Sequence, residues 1–310
     1  WLYRGVITVR RKAYQLGLLQ CVRLPVPVVV VGNITVGGTG KTPLVLWIAQ
    51  KIVERGYRPG IVSRGYGGRG QRRPRLVTRQ DRVSGVGDEA LLLARHAGCP
   101  VCVGSDRVQA AQLLLEQGVE LIISDDGLQH YRLARDLEIA VLDAGRQVGN
   151  GRLLPAGPLR EPVQRLAKVD LVLVNGQDCG SGQLAFVLRP DALVNLSGAQ
   201  VAGLSDFGGR DVWAVAGIGN PDRFFTLLRD NGIHVHPVAV ADHGFVDLER
   251  LTEREDWPIL MTEKDAVKYA GSNTEAWYLP VQAELCPQTE TQLVQSLGRL
   301  LDRASRPGME

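Results

Sequence analysis

The sequence predicts an α/β protein: a mostly parallel sheet with helices on both faces, plus a second, smaller α/β domain. Three observations point there. Short runs of β-branched residues alternate with helical segments through the first half of the chain. A glycine-rich loop lies between the first such run and the helix after it. A polar break at 176–182 then separates a second, shorter series of strands and helices. Alternation of this kind favours a parallel sheet, because each crossover lays a helix on one of its faces.

Residues 2–19 suit a helix, with Leu2, Val6, Val9, Ala13 and Leu16 on one stripe and Arg4, Arg11 and Gln15 opposite. Pro25 and Pro27 then force extended chain. Four valines at 28–31 predict a strand buried on both faces. A glycine-rich loop over 32–40 leads to a helix over 42–55, with Pro43 in its first turn and Gly56 just past its end. Ile61-Val62 reads as a short strand, and the charged stretch 71–82 as a loop. A helix at 88–96 and a strand at 101–103 follow. Ser105 is expected to cap a helix over 106–117, which Gly118 ends. Further strands fall at 121–124, 139–142 and 171–174. Between the last two lies a long loop, 144–162, rich in glycine and proline and carrying Arg146, Arg152 and Arg160. A loop of that length inside a compact domain is usually functional.

These elements suggest a first domain over 1–182, an extended linker over 183–210 and a smaller domain over 211–310. In the last, strands are expected at 212–215, 235–240, 259–262 and 277–281, with helices at 221–230 and 289–303.

The 310 residues hold 36 Lys plus Arg against 33 Asp plus Glu, a net charge of +3 that is too mild for nucleic acid as the main partner. The distribution is more telling. No acidic residue precedes Glu54, whereas Arg4, Arg10, Arg11, Lys12, Arg23, Lys41 and Lys51 do, and such an end suits an anionic membrane surface. Hydrophobic residues at 45% exclude wholesale disorder, and no apolar window is long enough to span a bilayer. The five cysteines show no disulfide framework and point to a reducing cytosol.

Gly37-Gly38-Thr39-Gly40-Lys41-Thr42, between a strand and a helix, is the strongest chemical signal. Glycines let backbone N–H groups turn inward around phosphate oxygens. Lys41 then reaches the β- and γ-phosphates, and the Thr42 hydroxyl ligates Mg²⁺. The position five before Gly40 is Thr35 where the common pattern has glycine. Deviant P-loop switch ATPases, the alternative reading, carry a lysine where this chain has Val36. Asp88 and Glu89 open a helix, where they either supply a base for an acceptor hydroxyl or merely complement the helix dipole. Asp125 and Asp126 end an apolar strand, the place of a Walker-B carboxylate, although an Asp-Gly turn explains them too. Asp242-His243 is the most reactive-looking feature of the second block, yet a lone histidine is more often structural. Cys99/Cys102 and His234/His236 read as structural.

Taken in order, the motifs resemble the tetraacyldisaccharide 4′-kinase family, the lipid A kinases of Gram-negative bacteria. They are residues 31–43, Ser63-Arg64-Gly65-Tyr66, Gly87-Asp88-Glu89, Gly104-Ser105-Asp106-Arg107, Asp125-Asp126-Gly127-Leu128-Gln129-His130, residues 154–161, Asp242-His243 and Thr262-Glu263-Lys264-Asp265. The resemblance implies transfer of the ATP γ-phosphate to the 4′-hydroxyl of a tetraacyldisaccharide 1-phosphate, giving lipid IVA, with catalysis in a cleft between two domains. It implies ATP and Mg²⁺ as cofactors, Asp88 as base and His243 as its partner. It places Thr35, Val36, Gly37, Gly38, Thr39, Gly40, Lys41, Thr42, Asp125 and Asp126 on the nucleotide, and Thr42, Asp126 and Glu161 on the metal. Ser63, Arg64, Arg107, Gln129 and Arg160 would serve phosphates or the sugar acceptor. Family members usually open with a short apolar anchor, and this sequence begins at or after it. The expected location is the cytoplasmic face of the bacterial inner membrane, peripheral or N-terminally anchored.

Overall fold

The computed structural model of the chain describes residues 2–68, 73–176, 179–180, 182–238, 240–241, 244–269 and 275–304. It opens with α1 (Leu2–Gln15) and β1 (Val28–Gly32). Along β1, Val29 and Val31 face the cluster that holds Leu44, Ile48 and Ile52, while Val28 and Val30 face the opposite one with Val108, Ala111 and Leu114. Successive side chains of a strand point to opposite faces, so a strand covered on both sides needs an apolar residue at every position.

The first run continues through α2 (Lys41–Glu54), β2 (Pro59–Ser63), β3 (Arg75–Val77), α3 (Val83–Val86), α4 (Asp88–His96) and β4 (Val101–Val103). It is completed by α5 (Arg107–Leu115), β5 (Leu121–Asp125), β6 (Leu137–Asp143), β7 (Leu171–Asn175) and β8 (Leu184–Pro190). A second run holds β9 (Leu193–Asn195), β10 (Val201–Ala202), β11 (Asp211–Val215), α6 (Pro221–Asp230), β12 (His234–Val238), α7 (Leu248–Thr252), β13 (Ile259–Thr262), α8 (Glu263–Ala266) and β14 (Ala276–Leu279). β15 (Val281–Leu285) and α9 (Pro287–Ala304) close the described chain.

Among the described residues one sheet runs β15-β8-β7-β6-β1-β5-β2-β4-β3. Its pairs are parallel except at the two edges, β15 with β8 and β3 with β4. The other sheet runs β10-β9-β14-β13-β11-β12, antiparallel only at β9 and β10. The mostly parallel sheet with helices and the smaller second domain are as the sequence predicts. β1 lies between β5 and β6, so the chain departs to both sides of it, and a crevice opens beyond its carboxyl end.

Four sequence expectations need correction. Residues 183–210 are not a linker: β8 joins the first sheet, and β9 and β10 join the second. Nor does the second domain run to the end of the chain. β15 pairs with β8, and Leu293, Leu297 and Leu301 of α9 enter the same core as Leu44 and Ile48. The partners of β8 and β15 lie far apart along the chain, so local patterning does not show their pairing. The stretch 71–82 contains the edge strand β3. Asp106, not Ser105, caps α5, its carboxylate accepting from Val108 N at 3.0 Å and Gln109 N at 3.4 Å.

The cysteines also differ from expectation. Cys179 and Cys286 form a disulfide that joins the segment after β7 to the start of α9 across 107 residues, a proximity that only the folded sheet creates. Cys21, Cys99 and Cys102 are free. Burial pushes the Cys99 thiol up to about 12 and the Cys102 thiol up to about 11, so neither is a ready nucleophile.

Placing α9 in the first core has a measurable consequence. Leu293 is fully buried. Leu293→Ala should lower the stability of the whole chain by about 2–5 kcal/mol in urea denaturation, the usual cost of emptying a packed site. A loss below about 0.5 kcal/mol, typical of a surface change, would contradict that placement.

Candidate active site

A cavity of about 850 Å³ opens at the carboxyl end of β1. Residues 36–43 line one side of it. The loop is clamped from outside. Asn175, at the end of β7, donates its Nδ2 to Thr39 O at 3.2 Å, and Asn33 Nδ2 donates to Gly37 O at 3.3 Å. Val36 N donates to Pro158 O of the long loop at 2.8 Å. Gly40 begins α2 in the left-handed region, with φ 85°, and a Cβ there would collide with the Asn175 amide. A strand, a pinned glycine loop and a helix N-terminus make the frame a triphosphate requires.

Charges converge on this frame. Lys41 Nζ lies 3.4 Å from Asp126 Oδ1, and Arg160 Nη1 donates to Asp126 Oδ2 at 2.8 Å. Burial pushes the Asp126 carboxyl upward, but Lys41 and Arg160 outweigh it and hold it at about 2. Its neighbour Asp125 behaves oppositely. Asp125 is 1% exposed, and burial first, then the charge of Glu89, drive it up to about 7 despite Lys41 and Arg107. Ser63 Oγ donates to Asp125 Oδ2 at 3.5 Å. Two adjacent carboxyls thus differ in protonation near neutrality, one firmly ionised and one poised.

The donor set fits a hard divalent cation. Asp125 Oδ1, Asp126 Oδ1, Glu161 Oε1 and Thr39 Oγ1 are buried oxygens without a hydrogen-bond partner. Glu161 is held by Tyr131 Oη, which donates to its Oε2 at 2.6 Å, and by Arg165 Nε at 3.3 Å. Among the described residues no three His, Cys, Asp or Glu side chains form a closed cage. Mg²⁺ takes one or two protein carboxylates and fills its octahedron with phosphate oxygens and water, and the oxygens of Asp126 and Glu161 left without a hydrogen-bond partner fit that need.

The structure gathers most of the residues singled out in the sequence. Ser63, Arg64, Asp126, Gln129, Arg160 and Glu161 line the cavity, with Gln129 Nε2 donating to Asn33 O at 2.9 Å. Thr35 is buried behind the loop and pairs with Leu159. Arg107 is not brought to the cavity. It is 3% exposed and donates to Gly104 O at 2.8 Å and Asp125 O at 3.3 Å, so it braces the strand ends rather than facing a ligand. Burial lowers its guanidinium to about 10. Asp88 is 1% exposed and lies just behind the lining, its Oδ1 accepting from Glu89 N at 2.8 Å. Glu89 lines the cavity and meets Lys264 Nζ at 3.0 Å. His243 and Asp242 lie outside the described residues.

Sequence reasoning missed most of the second domain's share of the lining, which includes Gly219, Asn220, Arg223 and Phe224 beside the motif residue Lys264. It also missed Arg146 as a bridge. Arg146 Nη1 donates to Gly219 O at 3.0 Å, and its Nη2 donates to Gly38 O. Its place in a long loop between strands was the available signal, but its partner was not readable.

Comparison with known proteins gives a consistent picture. Residues 1–299 match the family described as tetraacyldisaccharide-1-P 4′-kinase. The tetraacyldisaccharide 4′-kinase of Alkalilimnicola ehrlichii is 52% identical over 306 residues, covering 98% of this chain and 92% of that protein. That of Vibrio cholerae is 44% identical over 308 residues, covering 98% and 91%. A crystal structure of the "apo" form of LpxK from Aquifex aeolicus in complex with ATP superposes with a TM-score of 0.78 at 30% identity, covering 97% of this chain and 96% of that one.

The poised carboxyl yields a pH test. Asp125 rises from 3.8 to about 7 on folding, so between those values the folded state holds the extra proton. Stability supplied by that proton is therefore lost as pH climbs toward 7. Without nucleotide or divalent cation, Asp125→Asn should lose less stability than the parent chain between about pH 5 and about pH 8, read as urea midpoints. An identical loss in both would contradict the assignment.

Proposed function

The chain belongs to the tetraacyldisaccharide-1-P 4′-kinase family, and from that premise we propose how its residues move the γ-phosphate of ATP onto the 4′-hydroxyl of a tetraacyldisaccharide 1-phosphate, giving lipid IVA. One observation carries the substrate side of this reading. The cavity runs without a break from the phosphate loop to Tyr3, Val6, Ile7, Arg10 and Arg11 of α1, so its walls are anionophilic at one end and mix apolar with basic side chains at the other. An acylated sugar phosphate has that character.

The amides of residues 37–41 and the Lys41 ammonium hold the β- and γ-phosphates. Thr42, Asp126 and Glu161 would hold Mg²⁺, which would supply positive charge against the negative charge of the phosphates. Arg64, Gln129 and Arg160 orient the acceptor and its phosphate from the lining beside the phosphate loop, with Ser63 next to them. Asp88 takes the proton of the attacking hydroxyl, and His243 assists it. The acceptor oxygen then bonds to the γ-phosphorus, and ADP leaves with the former bridging oxygen. Asp88 lies just behind the lining with the second domain seated, so the acceptor enters before that domain seats, and seating then encloses it with the base, as in other enzymes that assemble a site around substrate.

Membrane placement follows from α1. No helix among the described residues is long and apolar enough to cross a membrane. Tyr3 and Tyr14 of α1 face the protein, through Tyr3 Oη donating to Arg160 O at 3.0 Å and Tyr14 packing on Tyr131. Val6, Val9 and Leu16 are left exposed beside Arg4, Arg10 and Lys12. An exposed apolar stripe flanked by basic residues suits the surface of an anionic leaflet, here the cytoplasmic face of the inner membrane.

Incubation with γ-labelled ATP, Mg²⁺ and a tetraacyldisaccharide 1-phosphate in micelles should move label to the lipid, whereas protein and DNA acceptors stay unlabelled. Lys41→Ala should abolish most of the transfer and leave the melting temperature close to that of the parent, because Lys41 sits at a loop end outside the core. Near-normal turnover of this variant at saturating ATP, or stimulation by protein or DNA alone, would overturn the reading.

A further inference from the structure

Asp88 has a neighbour that the motifs do not include. Lys268 follows α8 in the second domain, and its side chain is 1% exposed, as is that of Asp88. Its ammonium meets three oxygens: Asp265 Oδ1 at 2.7 Å, Gly244 O at 3.0 Å and Asp88 Oδ2 at 3.9 Å. Asp265 is fixed in turn. Thr262 Oγ1 donates to its Oδ2 at 2.5 Å, and Gly217 N donates to the same oxygen at 2.9 Å.

The third contact is the informative one, because it crosses from one domain to the other. An ammonium has three protons to place, and burying it is costly unless each finds an acceptor. Asp265 and Gly244 bind it at hydrogen-bond distance inside its own domain. The remaining direction faces a carboxylate on the first turn of α4. Lys264, one helical turn earlier on the same side, meets the adjacent Glu89 at 3.0 Å. Two lysines four residues apart therefore grip two consecutive carboxylates of the opposite domain.

A side chain needed only to fill this interior position would be better apolar, since a buried ion pair rarely gains stability over well-packed hydrophobic residues. The charge is better explained by what it does to Asp88. We propose that Lys268 is a positioning residue for the phosphoryl transfer: anchored by Asp265 and Gly244, it aims the Asp88 carboxylate and sets a positive charge beside it at the domain interface. This inference rests on the reading of Asp88 as the proton acceptor. In the step itself the hydroxyl proton passes to Asp88, the acceptor oxygen bonds to the γ-phosphorus and the bond to the ADP oxygen breaks. Lys268 keeps all its protons throughout.

The test uses the full chain with ATP, Mg²⁺ and a tetraacyldisaccharide 1-phosphate. Lys268→Met removes the charge, and Lys268→Gln removes it while keeping a donor for Gly244 O, so one variant stays usable if the other fails to fold. Both should lower kcat by about tenfold or more, a fraction of the roughly 10²–10⁴-fold that a positioned base supplies, with KM for both substrates unchanged. Lys268→Arg should recover part of the loss. In an Asp88→Asn background Lys268→Gln should add nothing, because residues acting as a unit are non-additive. Parental kcat in Lys268→Gln, a loss confined to KM, or multiplicative losses in the double variant would each overturn the inference. Parental kcat in Asp88→Asn alone would instead overturn the base assignment, and the inference with it.

Discussion

The site depends on one close approach of backbone to backbone. Gly219, in the loop between β11 and α6, sits against Gly38 of the phosphate loop so closely that a Cβ on Gly219 would collide with the Gly38 nitrogen. Arg146 fastens the contact by donating to the carbonyls of both residues, and Asp143 holds Arg146 from behind through a hydrogen bond to its backbone N at 3.0 Å. Only glycine permits this seating. With it, Asn220, Arg223 and Phe224 come to roof the phosphate loop, and Lys264 and Lys268 come to face Glu89 and Asp88. A roofed site excludes water, which strengthens every charge inside it and protects the phosphoryl group from hydrolysis.

Within that enclosure the sheet sets the chemistry by placing strand ends side by side. β1 delivers the glycine loop, β5 delivers Asp125 and Asp126, and β7 delivers Asn175 to pin the loop. Adjacent carboxylates end up in different states because Asp126 turns out to Lys41 and Arg160 in a left-handed conformation, with φ 49°, whereas Asp125 stays buried on its strand. The two ends of the cavity likewise come from topology. The phosphate end is built on the central sheet and roofed by the second domain, and the far end comes from α1, whose Tyr3, Val6 and Ile7 stand beside Arg10 and Arg11.

Much of this was legible in the sequence, and for physical reasons. The valine run of β1, the glycine-rich entry to α2, and the helices α4 and α6 are set by local pattern, and they lie where the sequence puts them. The phosphate loop and the carboxylates on β5 were equally readable, because their chemistry needs particular residues at fixed spacing. What escaped was non-local. β8 and β15 find one another across most of a domain, Cys179 reaches Cys286 across 107 residues, and Arg146 and Lys268 act only through partners on another part of the chain. Arg107 is a further non-local case: its motif suggests a ligand, and the fold buries it against the carbonyls at two strand ends.

The central claim is that phosphoryl transfer requires the second domain seated on the phosphate loop. The most direct measurement is the pair of kcat and ATP Kd for Gly219→Ala. This single methyl touches neither Lys41 nor the carboxylates, but it occupies the space of the Gly38 backbone. The account predicts a kcat lower by about 100-fold, the scale reached when a remote change misplaces the reacting groups, with a smaller loss of ATP affinity. Parental kcat in Gly219→Ala would contradict it.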